Sequence, residues 1–157
     1  MKKEELVQLA RIRAAQYELD PALVCAVCEQ ESAWNPWVSR YEPQFEIHKI
    51  YGPIVLREAR EFIPQAKFFV NFVTEVKNRA TSFGLMQVLG QVARERGFLG
   101  PIVELANPEV GLEYGCIQLK RKLEKANQNV QTALLRYNGG GDPFYPRNVL
   151  ARMGGYQ

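Results

Sequence analysis

Two steps in this chain, Asp20-Pro21 and Asn107-Pro108, each set a capping side chain directly before a proline. That order opens helices. The side chain accepts a bond from an orphaned backbone N–H, and proline at the first helical position gives up an N–H that had no partner anyway. Apolar residues at helical spacing follow both steps. They also run through residues 3–19, where Leu6, Leu9, Ile12, Ala15 and Leu19 recur on one expected face. Further helices are expected over 21–33, 53–62 and 64–79, the last two opened by Pro53 and Pro64. Thr81 or Ser82 would cap another helix ending at Gly97, with a turn at 101–105, a long helix from 108 to about 126, and helices over 129–137 and 146–153. Strand signals are close to absent, with room for a small hairpin within 36–50. The expectation is an all-α fold, with a mainly helical α+β arrangement as its variant. With 157 residues, the chain is expected to form one domain with a real core.

Against this pattern one residue stands out. In "EQESAWNP", residues 29–36, Leu23, Val24, Val27, Cys28 and Trp34 all project within roughly 80° of Glu31 on a helical wheel. Glu29 projects to the other side, where a solvated carboxylate belongs. An acid on an apolar stripe is held towards its protonated form, because burial disfavours the charge. That is the property a general acid needs near neutral pH. A Glu salt-bridged to an arginine, or one fraying into solvent at the helix end, would give the same local sequence.

Three more pieces accompany Glu31-Ser32 and Asn35-Pro36: "TSFGLMQV" at 81–88, "NPEVGLEYG" at 107–115 and "ALLRYNGG" at 133–140. In this order the set resembles the soluble lytic transglycosylases, relatives of goose-type lysozyme that cleave the glycan strands of peptidoglycan. The resemblance spans residues 21 to about 141. It implies a lysozyme-like fold with a substrate groove between the Glu31 helix and the 81–97 segment. It further implies Glu31 as the catalytic acid, and Tyr137 as an active-site tyrosine whose hydroxyl reaches Glu31 or stabilises charge at the reacting carbon. Ser32, Ser82, Gly84, Met86, Gln87 and Asn138 are implied as substrate-binding positions, with Gly84 letting backbone approach ligand. Core packing is the competing reading for Met86, and fixing a turn, with Gly139–Gly141 supplying positive φ, for Asn138. Gly111 and Gly115 read as close helix packing. No cofactor and no metal are implied.

The chain departs from that pattern between Glu31 and Gly84, where a short loop is replaced by an enlarged insertion at about 40–80. "NPWVSRYEP" within it resembles phage and prophage versions. Glu42, and less so Glu46, is a candidate second acid. A hydrolase that inverts needs such a group to activate water, whereas a transglycosylase works with one acid and closes the sugar's own 6-hydroxyl into a 1,6-anhydro product. His48 is read as structural.

The net charge of +3 and pI near 8.8 suit an anionic partner without choosing one. "LKRKLEK" mixes cations and acids on a helix, the habit of a solvated face, so a nucleic-acid partner is not expected. Cys25, Cys28 and Cys116 are expected as buried free thiols, since the C-x-x-C pair lies in an apolar helical run. The charged first helix is not a signal peptide, and no stretch is apolar enough to span a membrane. The expectation is therefore a monomer made in the cytoplasm that reaches the wall on lysis, or within a virion or secretion apparatus. A hydrolytic endolysin using Glu42, a non-catalytic glycan-binding or assembly protein on the same fold, and a chitinase on the same scaffold remain as alternatives.

Overall fold

The computed structural model describes residues 1–47 and 51–157, so His48 lies outside the described residues. The order is α1 (Lys3–Gln16), α2 (Pro21–Ser32), β1 (Ser39–Tyr41), α3 (Pro43–Ile47), α4 (Tyr51–Phe62), α5 (Phe72–Arg79), β2 (Thr81–Phe83), β3 (Val88–Leu89), α6 (Gly90–Glu95), α7 (Pro108–Lys125), α8 (Val130–Tyr137) and α9 (Tyr145–Met153). The chain is mainly helical around one small sheet, as its periodicities imply. No helix among the described residues is long and apolar enough to cross a membrane.

Both cap-then-proline steps work as expected. The Asp20 carboxylate accepts from the Ala22 N–H, and the Asn107 side chain from the Glu109 N–H. Helix α2 is the centre of the main core, with every residue from Ala22 to Cys28 buried. It packs against α1 and α9, while α7 packs against α1 and α8. Cys25, Cys28 and Cys116 are free and buried in this core. On α1 the buried row is Leu6, Ala10 and Ala14, and Ile12 is 58% exposed. Leu6 and Leu19 of the expected face are in the main core and Leu9 packs against it, but Ala10 and Ala14 complete the buried row where Ile12 and Ala15 were expected.

Three expectations need correcting. Residues 81–97 are not one helix. Strands β2 and β3 form an antiparallel hairpin (Ser82 opposite Leu89, Phe83 opposite Val88), and only α6 is helical. Gly84 at φ +79° and Gln87 at φ +46° lie in the left-handed region, which a right-handed helix cannot contain. The strand within 36–50 is real, but its partner is remote: β1 pairs with β2, Ser39 opposite Phe83 and Tyr41 opposite Thr81. The helix expected from Pro64 starts only at Phe72, because Asn71 caps it by accepting from the Thr74 N–H; Ile63–Gln65 is a single 3-10 turn.

The insertion carries its own small core of Val55, Ala59 and Val76, with Phe45, Leu56 and Phe72 around it. A buried ionic network joins it to α6. Glu75 accepts from Arg79 Nε at 2.8 Å and from Arg94 Nε and Nη2 at 2.9 and 3.0 Å; Arg79 also donates to Gln91 and Glu58. Arg94 continues to the Phe98 and Gly100 carbonyls and lies 3.9 Å over the Phe62 ring.

Gly115 shows why α7 has a glycine mid-helix: a Cβ there would meet the buried side chain of Met86. Gly115→Ala is expected to cost about 1–3 kcal/mol by overpacking, read as a lowered midpoint in urea unfolding. Gly111 serves the same purpose against the Leu105 carbonyl.

Candidate active site

Helix α2 ends abruptly, and that ending sets Glu31. Ala33 and Trp34 are both left-handed, at φ +48° and +66°, so the chain turns away directly after Ser32. Trp34 leaves the helical stripe on which the sequence placed it. Its indole N–H donates to the Tyr156 hydroxyl at 2.7 Å, and the two rings pack 5.9 Å apart. Ser32 is buried and shares its hydroxyl proton between the Cys28 carbonyl (2.9 Å) and the Leu85 carbonyl (3.0 Å). The last turn of α2 is thereby fastened to the 84–87 turn. Ser32→Ala leaves the buried Leu85 carbonyl without that donor and is expected to cost about 1–2 kcal/mol, measured by thermal unfolding.

Glu31 lines a groove of about 390 Å³ together with Arg40, Glu42, Phe45, Ser82, Gln87 and Val88 on one side of the chain order, and Gln118, Lys122, Arg136, Tyr137 and Asn138 on the other. Burial pushes the Glu31 carboxyl above the usual carboxylate range; the Tyr145 hydroxyl bond and the charge of Arg40 offset only part of this. The Tyr145 hydroxyl donates to Glu31 Oε1 at 2.6 Å. When Glu31 is protonated, its proton therefore sits on Oε2, because Oε1 is occupied as an acceptor.

The resemblance implies Tyr137 as a tyrosine that reaches Glu31 or stabilises charge at the reacting carbon; the hydroxyl that bonds Glu31 is that of Tyr145. The Tyr137 hydroxyl lines the groove but donates to the Met86 carbonyl at 2.8 Å. Burial pushes the Tyr145 phenol strongly upward, with the Glu31 charge adding to it, so it stays a donor throughout the working pH range. Tyr145 lies beyond the four pieces. Its only signal in the sequence is an aromatic residue before Pro146, the proline in the first turn of α9.

The remaining expected positions divide. Ser82, Gln87 and Asn138 line the groove. Gln87 Nε2 is already engaged, donating to the Val38 and Gly84 carbonyls at 2.9 and 3.0 Å, so that amide nitrogen braces the turn. Met86 is fully buried and packs in the core. Gly84 allows a close approach, but to the Leu105 carbonyl of the 3-10 helix Ile102–Ala106, which a Cβ would strike. Gly139 and Gly140 supply positive φ after α8, and Gly141 does not. Glu42 Oε1 is held by Arg40, with Nε and Nη2 both at 2.7 Å. Glu46 accepts from the Tyr41 hydroxyl and pairs with Lys77 at 3.0 Å. Glu29, as expected, faces outward and pairs with Lys3 at 3.4 Å.

A mainly helical domain with a short hairpin and a groove holding a half-buried carboxyl of raised pKa is a lysozyme-like arrangement. Residues 70–145 match the family model of the transglycosylase SLT domain, and proteins with that domain are lytic transglycosylases acting on peptidoglycan. The matched stretch includes the hairpin, α7, α8 and Tyr145, whereas Glu31 precedes it. Comparisons with curated proteins and with solved structures returned no match.

Proposed function

We propose that this chain cleaves the β-1,4 bond between MurNAc and GlcNAc of peptidoglycan as a lytic transglycosylase, with Glu31 as acid and then base. The observation that carries this is the single carboxyl of raised pKa in the groove, held by one tyrosine. Protonated Glu31 gives its Oε2 proton to the departing GlcNAc oxygen as the C1–O bond breaks. The carboxylate then takes the proton of the MurNAc 6-hydroxyl while O6 bonds to C1. No water is consumed, and the product carries a 1,6-anhydro ring.

Glu42 lines the same groove, but its Oε1 holds a guanidinium at 2.7 Å from two nitrogens. That oxygen is occupied by Arg40 and is not presented to a water in the groove, which favours transglycosylation over hydrolysis. We read the enlarged insertion as that of a phage-type enzyme acting as a monomer, reaching the wall on lysis or within a virion or secretion apparatus.

Mass spectrometry of the products from purified peptidoglycan tests this. Muropeptides one water lighter than hydrolysis products are expected. Reducing ends of ordinary mass would mean hydrolysis instead, and soluble product from neither route would mean a binding protein.

Tyr145 is a positioning residue in this scheme. Tyr145→Phe removes a bond that stabilises the Glu31 carboxylate, so the Glu31 pKa rises further. The acid then stays protonated to higher pH, and the alkaline limb of the kcat/KM profile moves upward. The kcat falls about tenfold through lost orientation. A purely structural role would lower the rate without moving that limb.

A further inference from the structure

The groove has a second charged region that the chemistry at Glu31 does not use. Lys122 on α7 and Arg136 on α8 both line it. Arg96 and Lys125 stand close enough to act on the Lys122 charge, which they and Arg136 push down together with burial, the largest influence; Glu95 opposes them. Among the described residues no carboxylate lies within ion-pair distance of Lys122, Arg136 or Arg96. Arg136 and Arg96 are instead held by neutral acceptors. Arg136 Nη1 donates to the Lys125 carbonyl at 2.6 Å, and Arg96 donates to Gln118 Oε1 at 3.1 and 3.2 Å. The cluster is distinct from the Glu31 surroundings, where Arg40 is the cation that acts on the acid.

Like charges gathered in a groove repel one another and lower the stability of the free protein. Such an arrangement is compensated when a ligand brings anions. The two sugars of a peptide-bearing glycan bring none: their rings are neutral, and the lactyl carboxyl of the muramyl sugar is tied up as an amide. The anions belong to the peptide that hangs from it, which carries free carboxylates.

We propose that the α7–α8 wall of the groove, built on Lys122 and Arg136, is a carboxylate-binding subsite for the stem peptide of the glycan being cleaved. The proposal rests on the peptidoglycan-cleaving reading above and adds to it the part of the substrate that this wall selects. A guanidinium and an ammonium lining one groove suit a carboxylate, the first through its N–H donors and the second as a point charge.

The test compares two walls and two proteins. One sample of purified peptidoglycan is left native, and in another the free peptide carboxylates are converted to amides with carbodiimide and ammonia, which leaves every glycosidic bond intact. Wild type and the Lys122→Gln/Arg136→Gln double variant are assayed on both for soluble muropeptide release. The expected result is a drop of about tenfold in kcat/KM for wild type on the amidated wall. The double variant is expected to show the same drop on the native wall and no further loss on the amidated one. Added salt is expected to weaken wild-type activity on the native wall more than that of the variant.

Equal wild-type activity on both walls overturns the subsite without the use of any variant. A variant that loses the same factor on both walls overturns it too, because the cations then serve the sugars or the fold. Wild type inactive on both walls is a different failure: it removes the peptidoglycan-cleaving reading itself, and this subsite with it.

Discussion

On the proposed mechanism, Glu31→Gln is expected to lower muropeptide release by about 1000-fold or more, since it removes the group that gives the proton to the departing oxygen and then serves as base. The substitution is nearly isosteric, and the amide oxygen still accepts from Tyr145, so lost activity will not reflect lost structure. Its effect on stability has a definite sign. Burial raises the folded-state pKa of Glu31 above its ordinary value. A carboxyl of that kind binds its proton more tightly in the folded state, so it costs the wild-type protein stability as pH rises from about 4 through the folded-state pKa. Glutamine carries no such cost. The variant should therefore melt with wild type at pH 4 and above it at pH 8. A variant less stable at pH 8 than at pH 4, relative to wild type, would mean that the charged form of Glu31 is the one the fold favours.

The second large effect belongs to Glu75. It is 1% exposed and receives two guanidinium groups, Arg79 and Arg94, which are themselves buried at the side-chain level. Glu75→Ala leaves both cations in a poorly solvated site without their carboxylate, which is expected to cost about 3–5 kcal/mol. For a domain of this size that is a fall of about 10 °C in the melting temperature. Replacing all three partners together by apolar residues of similar volume should cost much less, because no fully buried charge is left unpaired; Glu58, which loses Arg79, is about a third exposed and keeps its bond from Gln91. The contrast between single and triple variants separates the worth of the network from the penalty of breaking it. Since the network joins α5 to α6, the single variant should also reduce wall cleavage by loosening the insertion that carries Arg40, Glu42 and Phe45 to the groove.

The helical skeleton was legible because its signals are local. Asp20-Pro21 and Asn107-Pro108 announce their helices within a few residues, and the buried stripe of α2 follows from periodicity alone. The direction of the Glu31 pKa was legible from its place on the α2 stripe, although Trp34 leaves that stripe and the hydroxyl that meets the acid comes from Tyr145. What the sequence hid was decided at a distance. "TSFGLMQV" has a capping residue before an apolar run and reads as a helix start. The β1 strand some forty residues earlier, the Ser32 hydroxyl and the Val38 carbonyl draw it into a hairpin instead. Tyr145 was missed on the same grounds: nothing near it in the chain indicates that its hydroxyl meets Glu31. Met86 and Gly84 lie in a motif that resembles a groove-lining one, yet the first fills a space left by Gly115 and the second makes room for the Leu105 carbonyl. In both, packing explains a residue that resemblance had assigned to substrate.

The bond between Tyr145 and Glu31 joins groups 114 positions apart in the chain. During synthesis the acid therefore emerges well before its partner. A nascent chain stalled before residue 145 presents Glu31 with neither its positioning hydroxyl nor the helix α9 that packs on α2. Formation of the Glu31–Tyr145 bond thus waits until residue 145 and helix α9 have emerged, and a chain ending before them would lack it.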